Sequence, residues 1–222
     1  MKLTEAQIEE LYAFTRKKYV EYYDVQTELV DHLASSIEER MNESSNINFE
    51  TALQQVYAQF GIFGFNELVE KKGMEAAVKG RKLFRKSFVE YFKLHKILLF
   101  VMILLVSYKV FKISNNDFIA YCFYAVIIIF NIIFITKCIW AKRSVKQPLL
   151  QFENIYIMSS SFGSSLFLFH TFFSLSFSQT DGQLHAILPL IFSIINICYL
   201  AEIDVIDKLF NQQKKLYPEA FK

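Results

Sequence analysis

The chain is poor in the residue patterns that carry most enzyme chemistry. It has three cysteines, Cys122, Cys138 and Cys198, all in apolar surroundings and without CxxC spacing. That usage argues against a disulfide framework or a zinc site and fits buried small hydrophobes. No GxSxG, HExxH, Walker or Rossmann pattern occurs, so the usual sequence marks of a nucleophile, a metal centre or a cofactor loop are missing. Residues 1 to 20 carry Glu5, Glu9, Glu10, Arg16, Lys17 and Lys18 in place of the apolar core and small-residue cleavage site of a secretory signal. The expectation is a noncatalytic chain without cofactor or metal, starting in the cytoplasm.

What is present is a break in composition near Lys96. Residues 1–96 hold 14 Lys/Arg and 15 Asp/Glu, against 10 and 7 in residues 97–222, a contrast hidden by the overall net charge of +2. The second part is dominated by runs of Ile, Leu, Phe and Ser. A helix crossing the hydrocarbon core needs about 20 mostly apolar residues, and four segments approach that length: Leu94 to Ile113, Phe118 to Trp140, Asn154 to Phe177 and Leu184 to Ala201. Lys109 interrupts the first one turn before its end, where its ammonium can extend to the interface. Soluble burial is the competing explanation, but a globular domain of this size would struggle to enclose four such helices. The expected fold is all-α: an N-terminal cytoplasmic helical domain (1–75), a basic juxtamembrane linker helix (76–96) that leads directly into the first span, a polytopic four-helix transmembrane bundle (97–201) and a cytoplasmic C-terminal tail (202–222).

Orientation follows from the short flanks, because Lys and Arg stay on the cytoplasmic side. Lys79, Arg81, Lys82, Arg85, Lys86, Lys93 and Lys96 precede the first span. Lys142, Arg143 and Lys146 lie between the second and third, with Lys137 just inside, and Lys208, Lys214 and Lys215 follow the fourth. The opposite loops hold only Lys112 nearby. Both termini are therefore expected in the cytoplasm of a bacterial cell, with the chain multi-pass in the inner membrane.

In the N-terminal part, Thr4-Glu5-Ala6-Gln7 has capping-box spacing. Ile8, Leu11, Tyr12, Phe14 and Tyr19 follow as the apolar positions of a first helix. Asp24 is placed to cap a second helix, in which Val25, Leu29, Leu33, Ile37 and Met41 recur every four residues. Asn48 is placed to cap a third, with Leu53, Val56, Tyr57 and Phe60 as its apolar face and Gly61 as its left-handed terminator. Gly61-Ile-Phe-Gly64 reads as a tight apolar turn, and a further charged helix runs from Asn66 to about Lys93.

Asp24-Val-Gln-Thr-Glu28-Leu29-Val30-Asp31-His32-Leu33, then Ile37-Glu38-Glu39, then Phe49-Glu50-Thr51-Ala52-Leu53 with a Phe60-Gly61 ending, resembles the helical HAAS-type domains. These are short bacterial cytoplasmic domains commonly joined to transmembrane helices and linked with PadR-regulated signalling. The similarity covers roughly residues 4 to 75. The chain departs from better-known members at Gly61-Ile-Phe-Gly-Phe65, where many have a Gly-Asp/Asn-Pro turn, which points to a Bacteroidetes-like branch. The resemblance implies an adaptor or signalling role and transfers no catalytic site.

Glu28, Asp31 and His32 share one region of the second helix, with Glu28 and His32 at i, i+4. A metal reading lacks a further convergent ligand, so these residues are expected to form a polar cluster or a partner-docking surface. Lys79, Arg81, Lys82, Arg85 and Lys86 are read as a membrane-surface and topology signal, each worth about 1 kcal/mol near an anionic leaflet. Nucleic-acid binding is not expected, as no recognition fold accompanies the run. Ser160, Ser161, Gly163, Ser164 and Ser165 have small-xxx-small spacing suited to close helix packing. His170 and His185 are placed to approach one another near the outer ends of their spans, where packing competes with haem or metal ligation. Glu202, Asp204 and Asp207 are placed to pair with Lys142, Arg143 or the juxtamembrane run. The function expected is an accessory or signalling subunit that contacts lipid, another membrane protein and a cytoplasmic protein. The alternative is a small oligomeric transporter or channel, with the serine patch, Asn131 or Asn196 lining its path.

Overall fold

Thr4 caps the first helix as its sequence implies: its Oγ1 accepts from the Gln7 amide, and the Gln7 side chain accepts from the Thr4 amide at 2.9 Å. We describe residues 2–43, 47–113, 116–153 and 183–222 from a computed structural model. Among them the chain forms α1 (Glu5–Lys17), α2 (Tyr23–Glu43), α3 (Phe49–Ala58), α4 (Asn66–Glu90), α5 (Ile97–Ile113), α6 (Asn116–Arg143) and α7 (Gln183–Leu216), with a 3₁₀ turn at Pro218–Ala220.

The first three helices make a small bundle. The four-residue repeat of α2 buries Val25, Leu29, Leu33 and Ile37 against Leu11 of α1 and Ala52, Leu53 and Val56 of α3. Asn48 caps α3 through the Thr51 amide at 2.8 Å. Gly61 and Gly64 then turn the chain with left-handed φ angles of 73° and 54°. A Cβ on Gly64 would meet the Tyr57 hydroxyl at 2.6 Å, so the turn closes against that ring and holds Ile62 and Phe63 out in solvent.

The linker helix does not run on into the first apolar helix. It stops at Glu90, and turns occupy 91–96 before α5 begins. No glycine or proline marks this break; tertiary contacts make it. The Tyr91 hydroxyl donates to Asp204 at 3.0 Å, and the Lys96 ammonium pairs with the same carboxylate at 3.1 Å while lying 4.2 Å from the Tyr91 ring centre. On one continuous helix, residues five apart lie about 140° apart and about 7.5 Å along the axis. The break lets both converge on one acceptor.

Two helices among the described residues are long and apolar enough to cross a membrane, α6 over Tyr121–Arg143 and α7 over Ile187–Leu216. At 17 residues, α5 falls short of that length. The expected third span, 154–177, lies outside the described residues. The fourth expected run, Leu184 to Ala201, is the first part of a longer helix: α7 continues to Leu216, with Val205, Ile206 and Leu209 buried against Phe134, Cys138 and Phe152. Both α5 and α6 pack on α7. Inside α7, the Pro189 carbonyl accepts from Ser193 Oγ at 2.7 Å and Ser107 Oγ at 3.3 Å, which ties α5 to α7 at the proline.

Beyond the break, α4 runs antiparallel to the inner part of α7. Tyr91 meets Asp204, Glu90 and Ser87 meet Lys208 at 2.8 Å each, and Glu75 and Ala76 line a cavity with Gln213 and Tyr217.

Candidate functional site

Four pieces of chain meet where the helical bundle rests on the apolar half: the start of α2, the middle of α4, the connector after α6, and the end of α7. The connector is pinned by the C-terminal residues. Lys146 donates its amide to Ala220 at 2.7 Å and Lys222 donates to Ser144 at 3.0 Å, an isolated antiparallel bridge around Val145 and Phe221. Phe221 is buried edge-on against Phe152 and Phe210.

Asp24, expected to cap α2, stands instead inside its first turn, one residue past the start at Tyr23, and its carboxylate reaches beyond its own helix. Its Oδ1 accepts from Val25 at 3.1 Å and from Leu150 at 3.0 Å, and its Oδ2 accepts from Gln151 at 3.4 Å. One carboxylate thus serves the start of α2 and the helical turn that begins at Leu150, where unpaired amides favour an anion. Burial pushes the Asp24 carboxyl above its usual range despite these three donors. Beside it, the Tyr23 amide donates to the Pro148 carbonyl at 2.8 Å and the Tyr23 hydroxyl donates to Glu219 at 3.0 Å. Burial, then that carboxylate, pushes the phenol up to about 12. Leu150 itself packs into the core of the N-terminal bundle.

The adjoining cavity holds about 210 Å³. Glu28 faces it and pairs with Lys72 at 2.6 Å, and Lys72 also reaches Glu75 at 3.2 Å. The hydrogen bond it donates to Glu28 raises the Lys72 ammonium above its ordinary range. Gln213, almost fully buried, lines the same space, and its Oε1 has no hydrogen-bond partner among the described residues. Gln151 bridges across it by donating Nε2 to the Ala76 carbonyl at 3.3 Å.

A second set of contacts joins the inner ends of the apolar helices. Lys96 pairs with Asp204, Lys137 with Asp207, and Lys208 with Glu90. Asp204 and Asp207 therefore take Lys96, from the basic run before α5, and Lys137, and Lys142 pairs with Glu153 at 2.7 Å. Hydrogen bonding from Lys208 holds the Glu90 carboxyl below its usual range.

The other candidates are scattered. Glu28 belongs to the cavity, whereas Asp31 and His32 lie exposed on α2. No group of His, Cys, Asp and Glu among the described residues could hold a metal ion. Lys79, Arg81, Lys82, Arg85 and Lys86 are all exposed on α4. Ser160, Ser161, Gly163, Ser164, Ser165 and His170 lie outside the described residues, as does the side chain of His185. Asn131 and Asn196 donate to carbonyls four residues back in their own helices, at 2.9 and 2.8 Å. Sequence reasoning placed Asp24 as a cap of α2 and missed its second helix, because that partner lies 126 residues away.

Compared with family models, with curated proteins and with solved structures, the chain matches none.

Proposed function

We propose that this chain is a noncatalytic integral subunit of the bacterial inner membrane, accessory or signalling in role. Its N-terminal helical domain docks a cytoplasmic partner, and its apolar helices contact lipid and another membrane protein, as in a transport or secretion complex. The observation that carries the reading is the junction: Asp24 and Tyr23 fix the helical domain to the connector, and three ion pairs fix α4 and α7 together with the inner ends of α5 and α6. Such a built joint transmits a displacement of one half to the other.

Membrane insertion is supported by the outer flanks of α5 and α6. Leu98, Met102, Leu105, Ile128, Ile132 and Ile135 are exposed, and only 22% of the apolar span of α6 is buried. The core helix of a soluble protein hides such a surface, and patches of this kind on a soluble protein mark an interaction face. At 1.5 Å per residue α5 is about 26 Å long, close enough to a core of about 30 Å for local thinning to accommodate it. The Lys/Arg bias of the flanks supports cytoplasmic termini. The resemblance of residues 4 to 75 to HAAS-type domains supports the adaptor role. Asn131 and Asn196 each direct a side-chain donor to a carbonyl of their own helix, which weighs against a hydrated path through them.

Purification at native expression in mild detergent, with identification of copurifying chains, tests the reading. A stoichiometric partner is expected. No retained partner, together with reproducible ion or solute flux in proteoliposomes, would overturn it in favour of the transporter.

A further inference from the structure

The face of α4 turned away from α7 carries an apolar stripe bordered by cations. Met74 and Val78, 59% and 40% exposed, stand one turn apart, with Lys71 one turn before them and Lys82 one turn after. Together with Lys79 they line a shallow groove whose acidic member, Glu75, is already engaged by Lys72. Lys71, Lys79 and Lys82 have no ion-pair partner among the described residues.

Height above the bilayer decides what can occupy this groove. Glu90 is held at Lys208, next to the Lys137–Asp207 pair, one turn short of Trp140 at the end of the apolar run of α6. From that level α4 climbs beside α7 at about 1.5 Å per residue, so Val78 stands about 13 Å and Met74 about 19 Å above the level of Trp140. Headgroups fill only about 5 to 8 Å outside the hydrocarbon core. Arg85 and Lys86 fall within that layer; Met74, Val78 and Lys71 stand clear of it.

We infer that the α4 groove formed by Lys71, Met74, Val78, Lys79 and Lys82 docks an acidic amphipathic helix of a cytoplasmic partner protein. The inference rests on the docking role proposed above and names its surface. Apolar side chains of the incoming helix cover Met74 and Val78, and its carboxylates meet the three ammonium groups. Charge complementarity selects an acidic partner over a basic one and speeds encounter at low salt.

The test uses the full chain in zwitterionic nanodiscs and a fluorescent designed helix with a leucine stripe flanked by glutamates. Two control peptides keep its composition with the leucines scrambled, or replace glutamate by lysine. Fluorescence anisotropy is expected to give at least about tenfold tighter binding of the acidic amphipathic helix than of either control, weakening as salt is raised. Lys71→Glu with Lys82→Glu is expected to lose about tenfold. Met74→Ser with Val78→Ser, which leaves every charge in place, is expected to lose a similar amount at unchanged helical content. Equal binding of the three peptides, or undiminished binding by either variant, overturns the inference. So does loss of peptide binding when the discs carry anionic lipid, which would mean that lipid covers the groove. Should the charge-reversed chain still copurify its native partner, the groove fails as the docking surface while the accessory role stands.

Discussion

Replacing Asp24 with alanine strands the amides of Val25, Leu150 and Gln151 at once. Losing a helix cap costs about 1 kcal/mol, as at Leu150, and the Val25 amide in the first turn of α2 loses a net hydrogen bond of about 1 kcal/mol, giving about 2 kcal/mol. Relief of desolvation works the other way, since burial outweighs the three hydrogen bonds in setting the Asp24 pKa. The net cost is about 1 to 2 kcal/mol, which corresponds to about 5- to 30-fold faster local opening. Hydrogen–deuterium exchange of the full chain in nanodiscs reads this at 148–153 and at the start of α2. Asp31→Ala, on an exposed position of the same helix, should leave those amides unchanged. The pH dependence has a definite sign. Folding raises this pKa, so the folded state holds the proton to higher pH; the stabilisation is full below the ordinary carboxylate range and is lost as pH rises through the raised value. Asp24→Asn should abolish that drift. If Asp24→Ala leaves exchange at 148–153 untouched, or if Asp31→Ala accelerates it equally, the carboxylate is not what joins the two halves.

Glu90 should show the opposite drift. Lys208 lowers its pKa, so its contribution is present above the ordinary carboxylate range and is lost as pH falls through the lowered value; exchange along 86–90 should rise on acidification, and not in Glu90→Gln. Gly61→Ala should cost about 1 kcal/mol for its left-handed backbone, with open space around the new Cβ. Gly64→Ala should cost more than that in thermal unfolding, and Tyr57→Phe in the same chain should recover the excess by removing the hydroxyl that the new Cβ meets. Ser107→Ala with Ser193→Ala removes the hydroxyls that join α5 to the Pro189 carbonyl and should weaken that packing by about 1 kcal/mol, measured by unfolding in mixed detergent.

Features that act within one helical turn were legible in the sequence. Thr4 and Gln7, Asn48 with Thr51, Gly61, and the four-residue repeat of α2 each operate on neighbours in the chain, and each forms as its spacing implies. The break at 91–96 carries no local mark, because Asp204, over a hundred residues later, draws Tyr91 and Lys96 together. The length of α7 was hidden for a related reason. Glu202, Asp204 and Asp207 look like the start of a solvated tail, yet the helix continues because Val205, Ile206 and Leu209 on its other face have a core to enter. Asp24 looked like an ordinary cap. Nothing near Pro148 or Leu150 announces that their amides and carbonyls need the start of α2.

The bridge between Val145 and Phe221 sets an order of events during synthesis. The connector leaves the ribosome long before its partner segment, and the roughly seventy-five residues between them take about 4 to 15 s to make at about 5–20 residues per second. Through that interval the helical domain is complete while the seat that receives Tyr23 and Asp24 lacks the segment that braces it. The seat for Tyr23 and Asp24 is therefore completed only after α7 has been made, when Glu219 and Phe221 follow it. Until then the Tyr23 hydroxyl lacks its Glu219 acceptor, and the connector lacks the backbone bonds that Ala220 and Lys222 supply.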